Sequence, residues 1–285
     1  ERVVVPVGPL EIHGFGILVA LGFVFGSRVA RNKAARDGHD PELINQLVSW
    51  IVAGVFIGGH LGHLLFYYPE EMAGDPAKFV ALFKTLASFS LPTADSLPET
   101  LKVWRGLSSY GGFIATVALI WCFLRKRNLS FWTYGDAIAY GMMTGWMLGR
   151  LGCFVAHDHP GIETEFWLGV AGICPTAYGN PAIACHDLGL YEAIWSGAMA
   201  VWFSVQDRVP RHSGYFVGWM CVSYGPVRFL MDHFRHIETD TRYFLQMTPA
   251  QYFSVALTIL GIWILRSRRD LAPPHGTWKP EDKAA

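Results

Sequence analysis

Residues 138–154 read IAYGMMTGWMLGRLGCF, an apolar stretch whose only charged side chain belongs to Arg150. The length and apolarity of this stretch predict a helix that spans a membrane. A guanidinium at the centre of a bilayer costs at least roughly 2.5–3.5 kcal/mol, so it normally faces a wet cavity or the interior of a helix bundle. Arg228 lies near the end of a second apolar run, residues 214–231, and neither arginine has an obvious partner in the sequence. Two such arginines predict an anionic ligand, for which a phospholipid head group is the natural candidate in a bilayer.

The composition indicates an integral membrane protein. Of the 285 residues, 52% are hydrophobic and 16% are charged, whereas soluble domains carry about 25% charged residues. The formal net charge is zero, which gives no argument for binding nucleic acid. We therefore expect an all-α polytopic protein with about seven transmembrane helices in one domain, residues 1–270, and a polar cytoplasmic tail, residues 271–285. The seven apolar spans cover residues 12–27, 47–67, 107–124, 134–154, 190–205, 214–231 and 249–265.

Basic residues predict the orientation of these spans. Lys and Arg cluster after the first, third, fifth and seventh spans, whereas residues 155–189 contain neither. Because cytoplasmic loops are enriched in Lys and Arg, we expect the N-terminus outside and the C-terminus in the cytoplasm. The loops 68–106 and 155–189 would then be exoplasmic.

Both arginines lie toward the exoplasmic ends of their predicted helices, so together they could bind one phosphate. Each could instead snorkel to the interface or pair with a carboxylate such as Asp158 or Asp232. Several other polar or glycine residues are expected at the same depth. They are Tyr110, Gly111 and Gly112 at the start of the third span, His186 and Glu192 at the start of the fifth, and Tyr224 one turn before Arg228. Tyr110 could equally be an interfacial aromatic residue.

Histidines allow three interpretations. His60 and His63 lie on the second span, and His157 and His159 follow the fourth. The two groups could together form a metal site, or they could be hydrogen-bonded residues that line a cavity. His157 or His159 could also be a general base, since imidazole titrates near neutral pH.

Two cysteines share the predicted loop 155–189. Cys174 and Cys185 are separated by a short segment, and an oxidising compartment would allow them to form a disulfide. We therefore predict a bridge between them. Cys153, at a helix end, could be a nucleophile, but plain packing is the more ordinary interpretation.

Several motifs, taken in order along the chain, resemble those of the prolipoprotein diacylglyceryl transferase family. The resemblance extends from residue 7 to about residue 266. The family signature GRLGNF corresponds to GRLGCF in this chain. A second family motif, HPSQLYE, corresponds to HDLGLYE in this chain. The matching segments are residues 8–16 (GPLEIHGFG), 58–67 (GGHLGHLLFY), 106–112 (GLSSYGG), 149–154 (GRLGCF), 186–192 (HDLGLYE) and 224–228 (YGPVR).

This resemblance implies an activity, substrates and a location. The family transfers diacylglyceryl from phosphatidylglycerol to the lipobox cysteine thiol of a prolipoprotein, in the bacterial inner membrane and without a metal or organic cofactor. By resemblance, Arg150 and Arg228 would hold the phosphate and stabilise charge on the leaving group. The residues expected to bind substrate are His13, Gly111, Gly112, Gly161, His186, Glu192 and Tyr224.

The chain departs from the family at positions that bear on proton transfer. Tyr110 stands where the family has a histidine, Cys153 where it has an asparagine and His60 where it has an arginine. Because a tyrosine, with a reference pKa of about 10, is a poor base at neutral pH, we expect His157 or His159 to supply the base. His13 and His186 are the next candidates.

Three alternatives to this activity stay open. One is a related enzyme that uses the same lipid site with a different acceptor. Another is a non-catalytic membrane protein that binds phospholipid. A metal-dependent membrane enzyme is a third and more distant interpretation.

Overall fold

The computed structural model describes residues 4–7, 10–67, 108–235, 245 and 247–271, and this part of the chain is mostly helical. Its long helices have 18 to 27 residues. They are α1 (Gly14–Arg36), α2 (Pro41–Tyr67), α3 (Ser109–Lys126), α4 (Phe131–Ala156), α5 (Leu188–Gln206), α6 (Tyr215–His233) and α7 (Pro249–Ser267). Each predicted apolar span falls largely on one of these helices.

Four helical segments are long and apolar enough to cross a membrane, which makes this a multi-pass membrane protein. They are Gly14–Arg36, Pro41–His63, Leu188–Gln206 and Pro249–Ser267. The predicted loop 68–106 and nearly all of the predicted tail, from residue 272, lie outside the described residues.

Two small antiparallel sheets accompany the helices, so the all-α expectation was incomplete. The first pairs β1 (Val4–Val7) with β2 (Leu10–His13), directly before α1. The second, in the order β3-β5-β4, lies within the predicted loop 155–189. The strands of this second sheet are β3 (Pro160–Glu163), β4 (Val170–Ala171) and β5 (Ala184–Asp187). Strands of two to four residues are too short to show the alternating pattern by which sequence reveals a strand.

The predicted disulfide is confirmed. Cys174 and Cys185 are bonded, with their Cα atoms 5.3 Å apart. Both residues are almost completely buried. The bridge ties the loop before β5 to β5 itself, and β5 leads directly into α5.

The chain forms two compact units, Asn45–Phe131 and a larger one made of Glu1–Ile44 and Trp132–Ala285. In the smaller unit, α3 begins against α2, where a Cβ added to Gly111 would lie 2.2 Å from the carbonyl oxygen of Gly58. Glycine is therefore required for this approach of two helices.

In the larger unit, α1 and α4 pack antiparallel. Gly22 faces Gly145, where an added Cβ would lie 2.7 Å from the Gly145 carbonyl oxygen. One end of the pair brings Phe15 against Gly152, so the start of α1 lies beside the segment that carries Arg150. We refer to this as the Arg150 end.

The opposite end of α1, which we call the Lys33 end, is fixed by ion pairs. The ammonium of Lys33 lies 2.6 Å from Asp37 and 2.7 Å from Asp207, the residue that follows α5. Arg36 pairs with the same Asp207 at 2.7 Å. These contacts join the end of α1 to the end of α5.

Helix α6 is anchored by a carboxylate of α4. Asp136 accepts hydrogen bonds from the backbone N–H groups of Gly214 at 2.7 Å and Val217 at 3.0 Å. A carboxylate at a helix N-terminus satisfies donors that have no partner within the helix and interacts favourably with the helix dipole. Helices α4 and α6 are thereby held in register, which also positions Tyr224 and Arg228 farther along α6.

Candidate active site

Two polar contacts join the end of α4 to the beginning of α5. The Nε of Arg150 lies 2.6 Å from a carboxylate oxygen of Glu192. Directly after α4, the Nδ1 of His157 lies 3.2 Å from Asp187. The carboxylates of Glu192 and Asp187 are 5% and 0% exposed, so both pairs lie in the interior of the unit.

Arg150 has more contacts than its carboxylate partner. Its guanidinium carbon lies 5.1 Å from the centre of the Trp146 ring, a cation–π contact. The Trp146 indole also donates to Glu192 at 3.4 Å, so one carboxylate orients both side chains. The expectation that Arg150 lacks a partner was wrong, because its partner lies on a helix that the sequence alone does not place. Its side chain is nonetheless 20% exposed.

Tyr224 connects this cluster to α6. Its ring packs against Trp146, with ring centres 6.1 Å apart, and against Trp195 at 5.1 Å. Arg228 follows four residues later and therefore lies on the same face of α6. Trp146 thus contacts both Arg150 and Tyr224. Arg228 lies one helical turn beyond Tyr224 on α6.

Arg228 also has a carboxylate partner. Its terminal nitrogen lies 3.4 Å from Asp232, whose side chain is completely buried. This is one of the pairings considered from the sequence. Arg235 approaches the same oxygen at 3.8 Å, and the hydroxyl of Thr248 donates to the other one. Asp232 therefore orients two arginines at the end of α6 and links them to the start of α7.

The short sheet contacts the end of α6 through Gly161. A Cβ added to Gly161 would lie 2.3 Å from the carbonyl oxygen of Phe234. The neighbouring Ile162 N–H donates to the same oxygen at 2.8 Å. Gly161, expected to bind substrate, thus has a structural reason to be glycine, since it lets the loop approach α6.

His186 lies in the same region and is nearly buried. Its Nδ1 is 2.7 Å from the hydroxyl of Tyr191, and its ring lies 4.6 Å from that of Phe234. Burial lowers the pKa of His186, so the imidazole is neutral at pH 7. These contacts give His186 a packing role between β5 and the end of α6.

His157 combines an unusual backbone with an oriented side chain. Its φ angle is +50°, in the left-handed region that few residues other than glycine adopt. Asp187 is fixed in turn by the backbone N–H of Leu190, 3.0 Å away, at the start of α5. When Nδ1 of His157 carries the proton shared with Asp187, Nε2 is the atom that can accept another.

His159 lies in a different cluster. Its Nδ1 is 2.5 Å from Asp158, and the donor atoms of His159, Asp158 and Cys153 lie within 4.8 Å of one another. Hydrogen bonds to Asp158 and Cys153 raise the pKa of His159 to about 9. Burial raises the pKa of Asp158, but the hydrogen bond and charge of His159, together with the contacts to Cys153 and Arg150, outweigh this effect, and the net change is downward. His159 is therefore a cation at neutral pH.

The sequence analysis did not group Cys153, Asp158 and His159 together. The three residues lie at the end of α4 and in the turn after it. Thiol, imidazole and carboxylate groups are ligands of transition metals. However, Arg150 approaches the Cys153 sulfur at 3.9 Å. A guanidinium at that distance repels a bound cation. The positive charge of Arg150 therefore makes this cluster an unfavourable place for a metal ion.

The remaining expected residues are Tyr110, Gly111, Gly112 and His13. Gly111 and Gly112 belong to the smaller unit, where both approach the backbone of α2. Tyr110 lies beside them at the start of α3, and its side chain is outside the described part. His13 directly precedes α1 at the Arg150 end, and its side chain is exposed.

Comparisons of the sequence with known proteins identify the family of this chain. Residues 2–266 match the family described as prolipoprotein diacylglyceryl transferase. A protein of Solidesulfovibrio magneticus, named phosphatidylglycerol–prolipoprotein diacylglyceryl transferase, is 31% identical over 276 residues, which cover 94% of each chain. A protein of the same name from Chromohalobacter salexigens is 29% identical and covers 92% of this chain and 90% of its own. Another, from Acinetobacter baylyi, is 29% identical with coverages of 93% and 91%. The chain belongs to the prolipoprotein diacylglyceryl transferase family.

Proposed function

We propose that this protein transfers diacylglyceryl from phosphatidylglycerol to the lipobox cysteine thiol of prolipoproteins in the bacterial inner membrane. Family membership and the names of its relatives support this activity. The observation that carries it in this chain is Arg150, a partly exposed side chain whose guanidinium is held between α4 and α5 by Glu192. An arginine held at a fixed place in the membrane interior is a binding group for a lipid phosphate.

The reaction is a displacement at the glyceryl carbon that carries the phosphate. The acceptor thiolate attacks this carbon, the carbon–sulfur bond forms, and the carbon–oxygen bond to phosphate breaks. Glycerol 1-phosphate leaves with the bonding electron pair, and a base takes the thiol proton. Arg150 and Arg228 would bind the phosphate and stabilise the negative charge that grows on it.

We assign the base to His157 and an electrostatic role to His159. Asp187 orients the ring of His157 so that Nε2 can accept a proton. His159, with a pKa of about 9, already carries its proton at pH 7 and cannot accept another. It would instead add positive charge near the phosphate.

The placement in the membrane completes the proposal. We place all seven long helices across the bilayer, with the N-terminus outside and the Arg150 end on the exoplasmic side. The sheet of residues 160–187 would then face the exoplasm, where an oxidising environment favours its disulfide. Reporter fusions at residue 271 and at residue 178 test this orientation, since they should report opposite sides of the membrane.

Thioether formation on a lipobox peptide, with phosphatidylglycerol as the donor, tests the activity. We expect product from the wild type, none from a peptide whose cysteine is replaced by serine, and at least 100-fold less from Arg150→Lys. Lysine keeps the charge but cannot reproduce the planar fork that binds phosphate. Lipid binding without thioether formation by the wild type would contradict the proposal and favour another acceptor or lipid binding alone.

A further inference from the structure

A cavity of about 500 Å³ lies along α1 at the Lys33 end, far from Arg150. The α1 residues that line it recur at intervals of three and four, so they form one face of the helix. Pro41, at the start of α2, also lines the cavity. Its lining consists of Val24, Ser27, Arg28, Arg31, Asn32, Ala35 and Pro41.

Two arginines of this cavity have no acidic partner in the described part of the chain. Arg31 is the more telling, because its Nε is buried and has no hydrogen-bond partner among the described residues. A buried donor that is left without an acceptor is destabilising. The Nε of Arg31 therefore marks a position where an acceptor from outside the chain would be stabilising.

Two acidic residues at this end of the unit pair with cations other than Arg28 and Arg31. Asp37 and Asp207 both contact Lys33, and Asp207 also pairs with Arg36. These pairs lie on a different face of α1 from Arg28 and Arg31. The arrangement separates a neutralised cluster from a cationic cavity on the same helix.

The surroundings of the cavity suit an amphiphilic ligand. Phe23, Val24 and Phe25 are large apolar side chains that are 41%, 61% and 48% exposed. They lie on α1, one of the segments able to span a membrane, just before the two arginines. A ligand that fits both features carries an anionic group for Arg28 and Arg31 and apolar chains that can cover this surface.

The depth of the cavity distinguishes it from the candidate active site. Phe15 packs beside Gly152 at the Arg150 end, and Arg28 lies thirteen residues farther along α1. At 1.5 Å per residue this is about 20 Å along the helix axis. Because the hydrocarbon core of a bilayer is about 30 Å thick, the cavity lies toward the opposite leaflet.

We propose that this cavity binds the phosphate of an anionic phospholipid from the leaflet opposite the Arg150 end. Arg31 and Arg28 donate to the phosphate oxygens, and the Asn32 amide supplies a further donor. The acyl chains lie along the exposed apolar side chains of α1. This binding is separate from the transferred lipid and does not depend on catalysis.

Lipid binding to purified, delipidated protein tests the proposal. Phosphatidylglycerol is titrated into the protein in non-ionic detergent, and bound copies are counted by native mass spectrometry. The Arg150→Gln background removes the candidate substrate site. The lipid molecule that still binds to this variant therefore reports the α1 cavity. We expect Arg28→Gln and Arg31→Gln in this background to weaken the remaining binding at least tenfold. Phosphatidylcholine should bind no more tightly to the unmodified cavity than to these variants.

Matched variants separate this site from general charge effects. Arg208→Gln removes an exposed arginine that directly follows Asp207, at the same end but outside the cavity, and should leave binding unchanged. Ala35→Phe fills the cavity without changing the charge and should abolish binding. Glycerol 3-phosphate, which carries the phosphate without acyl chains, should fail to displace the lipid at equal concentration.

Thermal melting distinguishes a ligand site from a structural arginine. Without lipid, Arg31→Gln should melt at or above the wild-type temperature, because it removes a buried donor that has no acceptor. Added phosphatidylglycerol should raise the melting temperature of the protein with Arg31 but not of Arg31→Gln. Unchanged lipid binding in both Arg31→Gln and Ala35→Phe would overturn the proposal, and displacement by glycerol 3-phosphate would assign the site to free phosphate.

Discussion

The left-handed backbone of His157 allows a substitution that tests its chemistry alone. Asparagine tolerates a positive φ better than most residues and can still hydrogen-bond to Asp187. His157→Asn should therefore keep the fold but lower the rate of thioether formation by 10²–10⁴-fold, the usual contribution of a general base. The measurement is the initial rate, with the melting temperature as a control. Wild-type activity in this variant would exclude His157 as the base.

The pair of His159 and Asp158 predicts a pH dependence of stability. The pKa of His159 is about 9 in the folded protein and about 6.5 in an unfolded chain. Between these values the folded state binds the proton more tightly, so its stability should fall as the pH rises from about 6.5 to 9. Below that window the contribution is fully present.

The variant His159→Gln isolates this effect from other titrating groups. Between pH 6.5 and pH 9, the melting temperature should decrease more in the wild type than in His159→Gln. Asp158→Asn should also flatten the dependence, because it removes the partner that holds the proton. Parallel pH profiles for the wild type and both variants would show that the pair does not stabilise the fold.

At the scale of elements, two glycines one turn apart on α4 provide a direct comparison. A Cβ added to Gly145 would lie 2.8 Å from the carbonyl oxygen of Gly22 on α1, whereas one added to Gly149 would meet nothing within 4 Å. Gly145→Ala should therefore destabilise the protein by roughly 1–3 kcal/mol. Gly149→Ala should be neutral or stabilising by up to about 1 kcal/mol, since alanine favours helix. Equal melting temperatures for the two variants would contradict the close packing of α1 and α4.

The disulfide is a second test at this scale. It closes a short loop whose last strand leads into α5 and positions Asp187. Replacing both Cys174 and Cys185 by serine should lower the free energy of unfolding by about 2–4 kcal/mol. It should also lower activity, because Asp187 would no longer hold His157 in place. Thiol counting in denaturant should find two further thiols only after reduction. Five free thiols without reductant would exclude the bridge.

Much of the element structure could be predicted from apolarity, and its limits have physical causes. The span predicted to begin at residue 47 begins at Pro41, and the one predicted at residue 134 begins at Phe131. Helix ends outside the hydrocarbon can be polar, so apolarity underestimates helix length. The short strands gave no signal, because residues 160–163 pair with residues more than twenty positions away.

The site could be predicted only as a set of residues, not as a set of contacts. Arg150 was identified because a charge in an apolar span is unusual, but its pairing with Glu192 depends on how α4 packs against α5. The same holds for His157 with Asp187. Family motifs indicate which residues matter, whereas tertiary packing decides which of them touch.

At the scale of the whole molecule, rescue of a bacterial strain depleted of its own transferase tests the entire proposal. The wild type should restore growth and thioether-modified lipoproteins, because both the lipid and the acceptor are then physiological. Arg150→Lys should not restore growth at equal protein level, since it loses the fork that binds phosphate. Arg208→Gln, outside the site, should restore growth fully.

If the wild type is inserted in the membrane and binds phosphatidylglycerol but does not restore growth, the replacement of the family histidine by Tyr110 becomes the leading explanation. Tyr110→His should then recover the lost activity. If that variant also fails, the lipid site serves a different acceptor.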